Sequence, residues 1–126
     1  MIHLDSSVLI ALADTGDPHH ARALSLMRAM PDAGASVLAW WEFQCGPLRS
    51  GGAAMVRRLL PAGLFPFGEA HAVEAARLFN TAGRARRFKF DSMIAATAIL
   101  AGASLATANP ADFEPFVICG LELAPF

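Results

Sequence analysis

No two cysteines in this chain have the spacing of a metal or redox site: Cys45 and Cys119 stand far apart and form no CxxC motif. That excludes a sequence-recognisable zinc site and counts against a disulfide framework, so both thiols are expected as small buried apolar groups. No apolar run reaches the roughly 18 residues of a membrane span. The opening stretch from Met1 to Asp5 carries neither a charged n-region nor a cleavage site, so the expectation is a cytoplasmic protein with no membrane partner. Charge of one sign is not in excess either. Ten Lys and Arg against eleven Asp and Glu leave a formal charge of −1. No global field therefore pulls the chain onto nucleic acid, which would have to be held by a local basic patch or through metal ions. Internal repeats and linkers are also missing.

What is present is apolar: 55% of the 126 residues are hydrophobic, enough for a real core and for one compact domain over 1–126. Residues 2–4 form a short apolar run that ends at Asp5, as a buried strand running into a loop does. Ser6 or Ser7 is placed to cap the helix that follows. Asp17-Pro18 starts a second helix, and Pro31 to Gly34 stops it. Residues 36–39 are the second strand candidate, and residues 40–48 the next helix. Gly51-Gly52 breaks that helix before a short one over 53–60. Residues 64–67 suggest an edge strand, because Pro66 cannot donate to a central ladder. Residues 69–82 are helical, and Phe90-Asp91 opens a long helix ended by Gly102. Residues 104–106 and 116–119 complete the strand candidates. Strands alternating with helices imply an α/β fold, a short central parallel sheet in a three-layer α/β/α sandwich.

In such sheets ligands bind at the carboxyl ends of the strands. Asp5 and Asn109 follow strand candidates, while Glu42 and Asp91 sit near helix starts that open at the same edge. Three acids lie in apolar surroundings: Asp5 after its strand, Glu42 within Leu38-Ala39-Trp40-Trp41 and Phe43, and Asp91 beside Phe90 and an Ala/Ile-rich helix. Such carboxylates are costly unless something pairs with them. Individually each has a plainer role, as a helix cap, a solvated helix position or a partner of the helix dipole. Together at one edge they would repel, and a divalent cation is one remedy; Mg²⁺ and Mn²⁺ favour such oxygen ligands.

Four blocks, in order, resemble PIN domains. They are Ile2-His3-Leu4-Asp5-Ser6-Ser7-Val8-Leu9-Ile10; Ser36 to Glu42 followed by Gly46; Phe90-Asp91-Ser92-Met93-Ile94-Ala95-Ala96; and Leu105-Ala106-Thr107-Ala108-Asn109 with Asp112-Phe113. Within that family the likeness is to VapC-type toxins of bacterial toxin–antitoxin pairs. The resemblance implies metal-dependent cleavage of RNA, with Asp5, Glu42 and Asp91 holding Mg²⁺ or Mn²⁺ and a metal-activated water attacking the phosphodiester. It also implies an antitoxin partner and a homodimer. Many family members have Asp where this chain has Asn109. Either Asp112 compensates or a single metal binds well.

Ser6 and Thr107 are expected to orient carboxylates or waters rather than act as nucleophiles. None of His3, His19, His20 and His71 occupies a base position. Arg84, Arg86, Arg87 and Lys89, just before Asp91, form either a solvated turn or a phosphate grip. Of Trp40 and Trp41, one is expected in the core and the other free to stack a base or meet a partner. A phosphatase with Asp after its first strand would need a second Asp where Ser7 stands. A receiver-like domain would need paired acids and a late Lys, whereas Lys89 is the only lysine. The remaining alternative is a non-catalytic PIN-like binding module whose site has decayed at Asn109.

Overall fold

A computed structural model describes residues 1–126. Four short strands, β1 (Ile2–Leu4), β2 (Ala33–Ser36), β3 (Gly63–Phe65) and β4 (Ser104–Ala106), form one sheet in the order β3-β2-β1-β4. Every pairing is parallel, with Ile2 opposite both Ala33 and Ser104. β1 and β2 are buried along their whole length, so both faces of the sheet centre are covered. That coverage is why a chain of short apolar strands builds a parallel sheet and not an antiparallel one.

The helices are α1 (Ser6–Ala13), α2 (His20–Ala29), α3 (Val37–Cys45), α4 (Gly52–Arg58), α5 (Glu69–Thr81) and α6 (Lys89–Ala101). Right-handed crossovers put α1 to α4 on one face, because β1, β2 and β3 step outward in one direction. The return from β3 to β4 reverses direction and puts α5 and α6 on the other. The core between them holds Ile2, Leu4, Leu9, Phe43, Ile94, Leu105 and Phe116, all fully buried. Gly102 ends α6 at φ 65°, a left-handed conformation in which it spares the Cβ clash any other residue would meet.

The structure moves several expected elements. The second strand is Ala33–Ser36 rather than residues 36–39, because the Ser36 hydroxyl accepts the Ala39 N–H at 3.0 Å and turns the chain into α3. Val37, a good strand former, is thereby taken into the helix with Leu38. Gly34 is no helix stop but the middle of β2, where a Cβ would lie 2.9 Å from the Phe65 ring and 3.0 Å from the Gly63 carbonyl. The last strand over 116–119 is instead a 3-10 helix, Glu114–Cys119, and the bridge to β4 comes later, at Leu123. Asp17 caps a turn by accepting the His19 N–H, and α2 begins after it. Neither Ser6 nor Ser7 caps α1; Asp5 is the residue at that position, and it makes no side-chain cap bond. The cysteines are not buried: Cys45 is exposed and Cys119 half-buried. No helix is long and apolar enough to cross a membrane.

Candidate metal centre

β1 is a central strand with the edge strand β4 beside it, and beyond their carboxyl ends the chain brings Asp5 next to Thr107. The switch in strand order falls here, with β2 leaving on one side and β4 on the other. α1 begins directly after Asp5, so Ser6 and Ser7 occupy its first turn and face two different carboxylates.

Asp5 is 5% exposed and has a well-defined orientation. Its Oδ2 accepts the hydroxyls of Ser7 and Thr107, both at 2.9 Å. Each hydroxyl carries one proton, so both protons are committed to Asp5. The hydroxyl oxygens accept backbone donors in return: Ser7 Oγ takes the Ala108 N–H and Thr107 Oγ1 the Asn109 N–H, each at 3.0 Å. The 3.4 Å approach of Ser7 Oγ to Thr107 Oγ1 is therefore a contact between two acceptors of backbone N–H groups, not a third bond. Oδ1 of Asp5 is left open, with Ser6 Oγ 3.5 Å away. Ser6 directs its proton to Glu42 Oε2 at 2.8 Å, tying α1 to α3.

The four carboxylates near this edge feel one another. Burial pushes Asp91 up to about 7, and the charges of Asp5, Asp112 and Glu42 add to the effect. Burial likewise raises Glu42, with the Ser6 hydrogen bond opposing and Asp5 assisting. No basic side chain relieves them. The ion pairs of the chain, Met1 with Asp32 and Arg77 with Glu74, lie elsewhere. Like charges arranged this way at a half-buried edge favour a cation. No group of three or more His, Cys, Asp or Glu side chains is placed to hold a metal ion by itself. An open, all-oxygen set suits Mg²⁺ or Mn²⁺, ions that keep several waters, and excludes the tetrahedral N/S chemistry of structural zinc. Carboxylate oxygens are the donor type that such an ion takes.

Asp5, Glu42, Asp91 and Asp112 thus share one field. Asn109 enters through its backbone N–H on Thr107, and its exposed side chain makes no hydrogen bond. Thr107 and Ser6 both contact carboxylates. Ser7 was missed as a residue of this group, although two successive hydroxyls after Asp5, where one cap suffices, were a signal for it. The basic group divides. Arg84 sits in the left-handed region at φ 64° and turns its Nε back to Asn80 Oδ1 at 2.9 Å. Arg87 lies over the Phe88 ring at 4.7 Å, while Arg86 and Lys89 are exposed and unpaired. His3 lies inside β1 with both ring nitrogens unpartnered, and burial, aided by the Met1 ammonium, lowers it to about 4. His20 Nδ1 donates to the Ala11 carbonyl oxygen of α1 at 2.7 Å, and no histidine joins the acids.

Comparison with known proteins agrees with this architecture. The PIN domain family profile matches residues 2–114. No curated protein matches the sequence. Among solved structures, a toxin–antitoxin complex from Klebsiella pneumoniae superposes with a TM-score of 0.72 at 23% identity, covering 90% of this chain and 91% of that one. VapBC2 from Rickettsia felis, bound to a promoter DNA fragment, gives 0.74 at 17% identity, with 100% and 99% covered. VapC20 from Mycobacterium tuberculosis, a toxin that cleaves the sarcin–ricin loop, gives 0.71 at 18%, with 98% of both chains covered.

Proposed function

The chain belongs to the PIN-domain family, and on that premise we propose that it is a Mg²⁺- or Mn²⁺-dependent endoribonuclease, the toxin of a toxin–antitoxin pair. The observation that carries the proposal is the group of unneutralised carboxylates at the switch point, with three hydroxyls aimed into it. Asp5, Glu42 and Asp91 would hold the cation, and Asp112 rather than Asn109 is the fourth residue of the reading, because its charge reaches Asp91. A divalent ion held there would supply Lewis-acid polarisation of a phosphodiester and a lowered pKa for the attacking water.

The chain's own residues do the positioning. Ser7 and Thr107 hold Oδ2 of Asp5 and leave Oδ1 to face the site. Ser6 holds Glu42, and its bond keeps α3 registered against α1 as substrate enters. Asp91, raised to about 7, is partly protonated in the metal-free protein at neutral pH, and as a ligand it would hold a cation in its carboxylate form. Arg86 and Lys89 grip phosphates on the approach from α6. An antitoxin protein and a second copy of the chain are proposed as partners, following the toxin–antitoxin assemblies that share the fold. A cytoplasmic location belongs to the same proposal.

The test compares the wild type with Asp5→Asn on total RNA, freed of co-purified partners, with Mg²⁺ or Mn²⁺ and with EDTA. Cleavage by the wild type alone, abolished by EDTA, is expected. A folded wild type that leaves RNA intact in every lane would return the chain to a binding role.

A further inference from the structure

Two exposed aromatic rings stack on each other, one from each of the helices that carry Glu42 and Asp91. Trp41 on α3 is 54% exposed and Phe90 on α6 43% exposed, yet their centroids are 5.4 Å apart and their planes within 15° of parallel. Large aromatic rings normally contribute to stability by leaving water, so a flat pair left in solvent has a job other than core packing. The neighbouring Trp40 shows the contrast. Adjacent helix positions point about 100° apart, and Trp40 turns inward to pack on Phe43 at 5.2 Å.

Trp41 immediately precedes Glu42, and Phe90 immediately precedes Asp91, so each ring's backbone lies one residue from a carboxylate of the site. On the α6 side, Arg86 and Lys89 are exposed and make no ion pair. Lys89 directly precedes Phe90, and an aromatic face with a nearby free cation can hold single-stranded nucleic acid, stacking a base while charge tracks the backbone.

We propose that the Trp41–Phe90 pair is a stacking platform for one unpaired nucleobase of an RNA strand, which sets the strand's position beside the carboxylate group. The platform rests on the ribonuclease reading. The rings already touch, so the base does not insert between them. It stacks on the outer face of Trp41, the more exposed ring, and Phe90 backs that ring against α6. Polar Gln44, one helical turn from Trp41, and Lys89, next to Phe90, are both exposed and border the rings, which favours a nucleic-acid strand over an apolar protein face. Because every base has a π-face, the platform positions the strand with little sequence preference of its own.

The test is binding to short oligoadenylate in EDTA, read by tryptophan fluorescence and by anisotropy, beside an abasic strand with the same phosphates. Trp41→Ala is expected to weaken oligoadenylate binding about tenfold, equivalent to about 1.4 kcal/mol, and Trp41→Phe to restore most of it. Both variants are expected to bind the abasic strand as the wild type does. Equal losses on both strands, or no loss on either, would overturn the platform. So would a Trp41→Ala variant that keeps its RNA affinity but becomes monomeric in sedimentation, since the pair would then be a contact between copies. Cleavage in Mg²⁺ that survives all these results would leave the nuclease standing without the platform. Base-dependent binding by a wild type that never cleaves would keep the platform and remove the nuclease.

Discussion

Thr107 Oγ1 donates a 2.9 Å hydrogen bond to Asp5 Oδ2, joining residues 102 positions apart. The bond crosses from the end of β4 to the end of β1, and the same oxygen takes the Asn109 N–H. One hydroxyl thus fixes a carboxylate and anchors the loop that carries Asp112. Orientation of this kind is what separates a bound carboxylate with one free oxygen from one that wanders among rotamers.

Thr107→Val keeps the shape and removes the hydroxyl. It is expected to weaken Mn²⁺ binding and RNA cleavage by about 10- to 100-fold, the range seen when a ligand's supporting bond is lost. Titration by paramagnetic resonance measures the first and a fluorogenic RNA the second. Unchanged Mn²⁺ affinity would show that Ser7 alone orients Asp5.

Asp91→Asn is expected to stabilise the metal-free protein near neutral pH. The carboxyl titrates at about 7 in the folded state, above its ordinary value of 3.8, so folding binds a proton between those limits. Stability from this group is therefore full at acid pH and falls as pH rises from about 4 to 7. Solvent screening at a half-exposed site keeps the gain from the amide to about 1–2 kcal/mol above pH 7. Thermal melts in EDTA at pH 4 and pH 8 measure it: the variant gains on the wild type only at the higher pH. Added Mn²⁺ should reverse the order, raising the Tm of the wild type more than that of the variant.

His3 predicts an acid-sensitive fold. Its folded value of about 4 lies below the ordinary 6.5, so the unfolded chain binds the proton first. The stability that neutral His3 supports is complete above pH 6.5 and drains as pH falls towards 4, at no more than roughly 1.4 kcal/mol per pH unit. His3→Leu, which fills similar space against the Phe65 ring 4.5 Å away, should flatten that loss. Urea melts between pH 7 and pH 4 give the slopes, and identical slopes would locate the acid sensitivity elsewhere.

Arg86→Ala and Lys89→Ala should each lower the salt dependence of RNA binding, by about 0.7 in the logarithmic slope for a single strand. Arg84→Ala should change it less, because that guanidinium is turned back onto Asn80. Anisotropy across a salt series checks the ranking, and an Arg84 effect equal to that of Arg86 would contradict it.

The blocks around Asp5, Glu42 and Asp91 were legible because each acid interrupts a nearly continuous apolar segment. The α6 segment from Lys89 to Ala101 and the helix Glu69–Thr81 were equally plain, the first from its length and apolar run, the second from its one-sided pattern, each with a Gly stop beyond. Residues 33–39 were misread because Val37 has the higher strand propensity, while a hydroxyl cap at Ser36 and the closeness of Phe65 to Gly34 decided the register. The run over 116–119 looked like a strand for the same reason. Next to β4, Leu123 makes the bridge instead.

Sequence alone determined the identity of the acids, their order, the parallel α/β class and the edge at which they meet, because these follow from residue type and from periods that act over a few neighbours. Tertiary structure alone decided that Ser7 joins Thr107 on one oxygen of Asp5, that the charge of Asp112 is felt at Asp91, and that Trp41 stacks on Phe90. Each of those relations links segments far apart in the chain. Their distances depend on how the helices pack on the sheet, which no local pattern encodes.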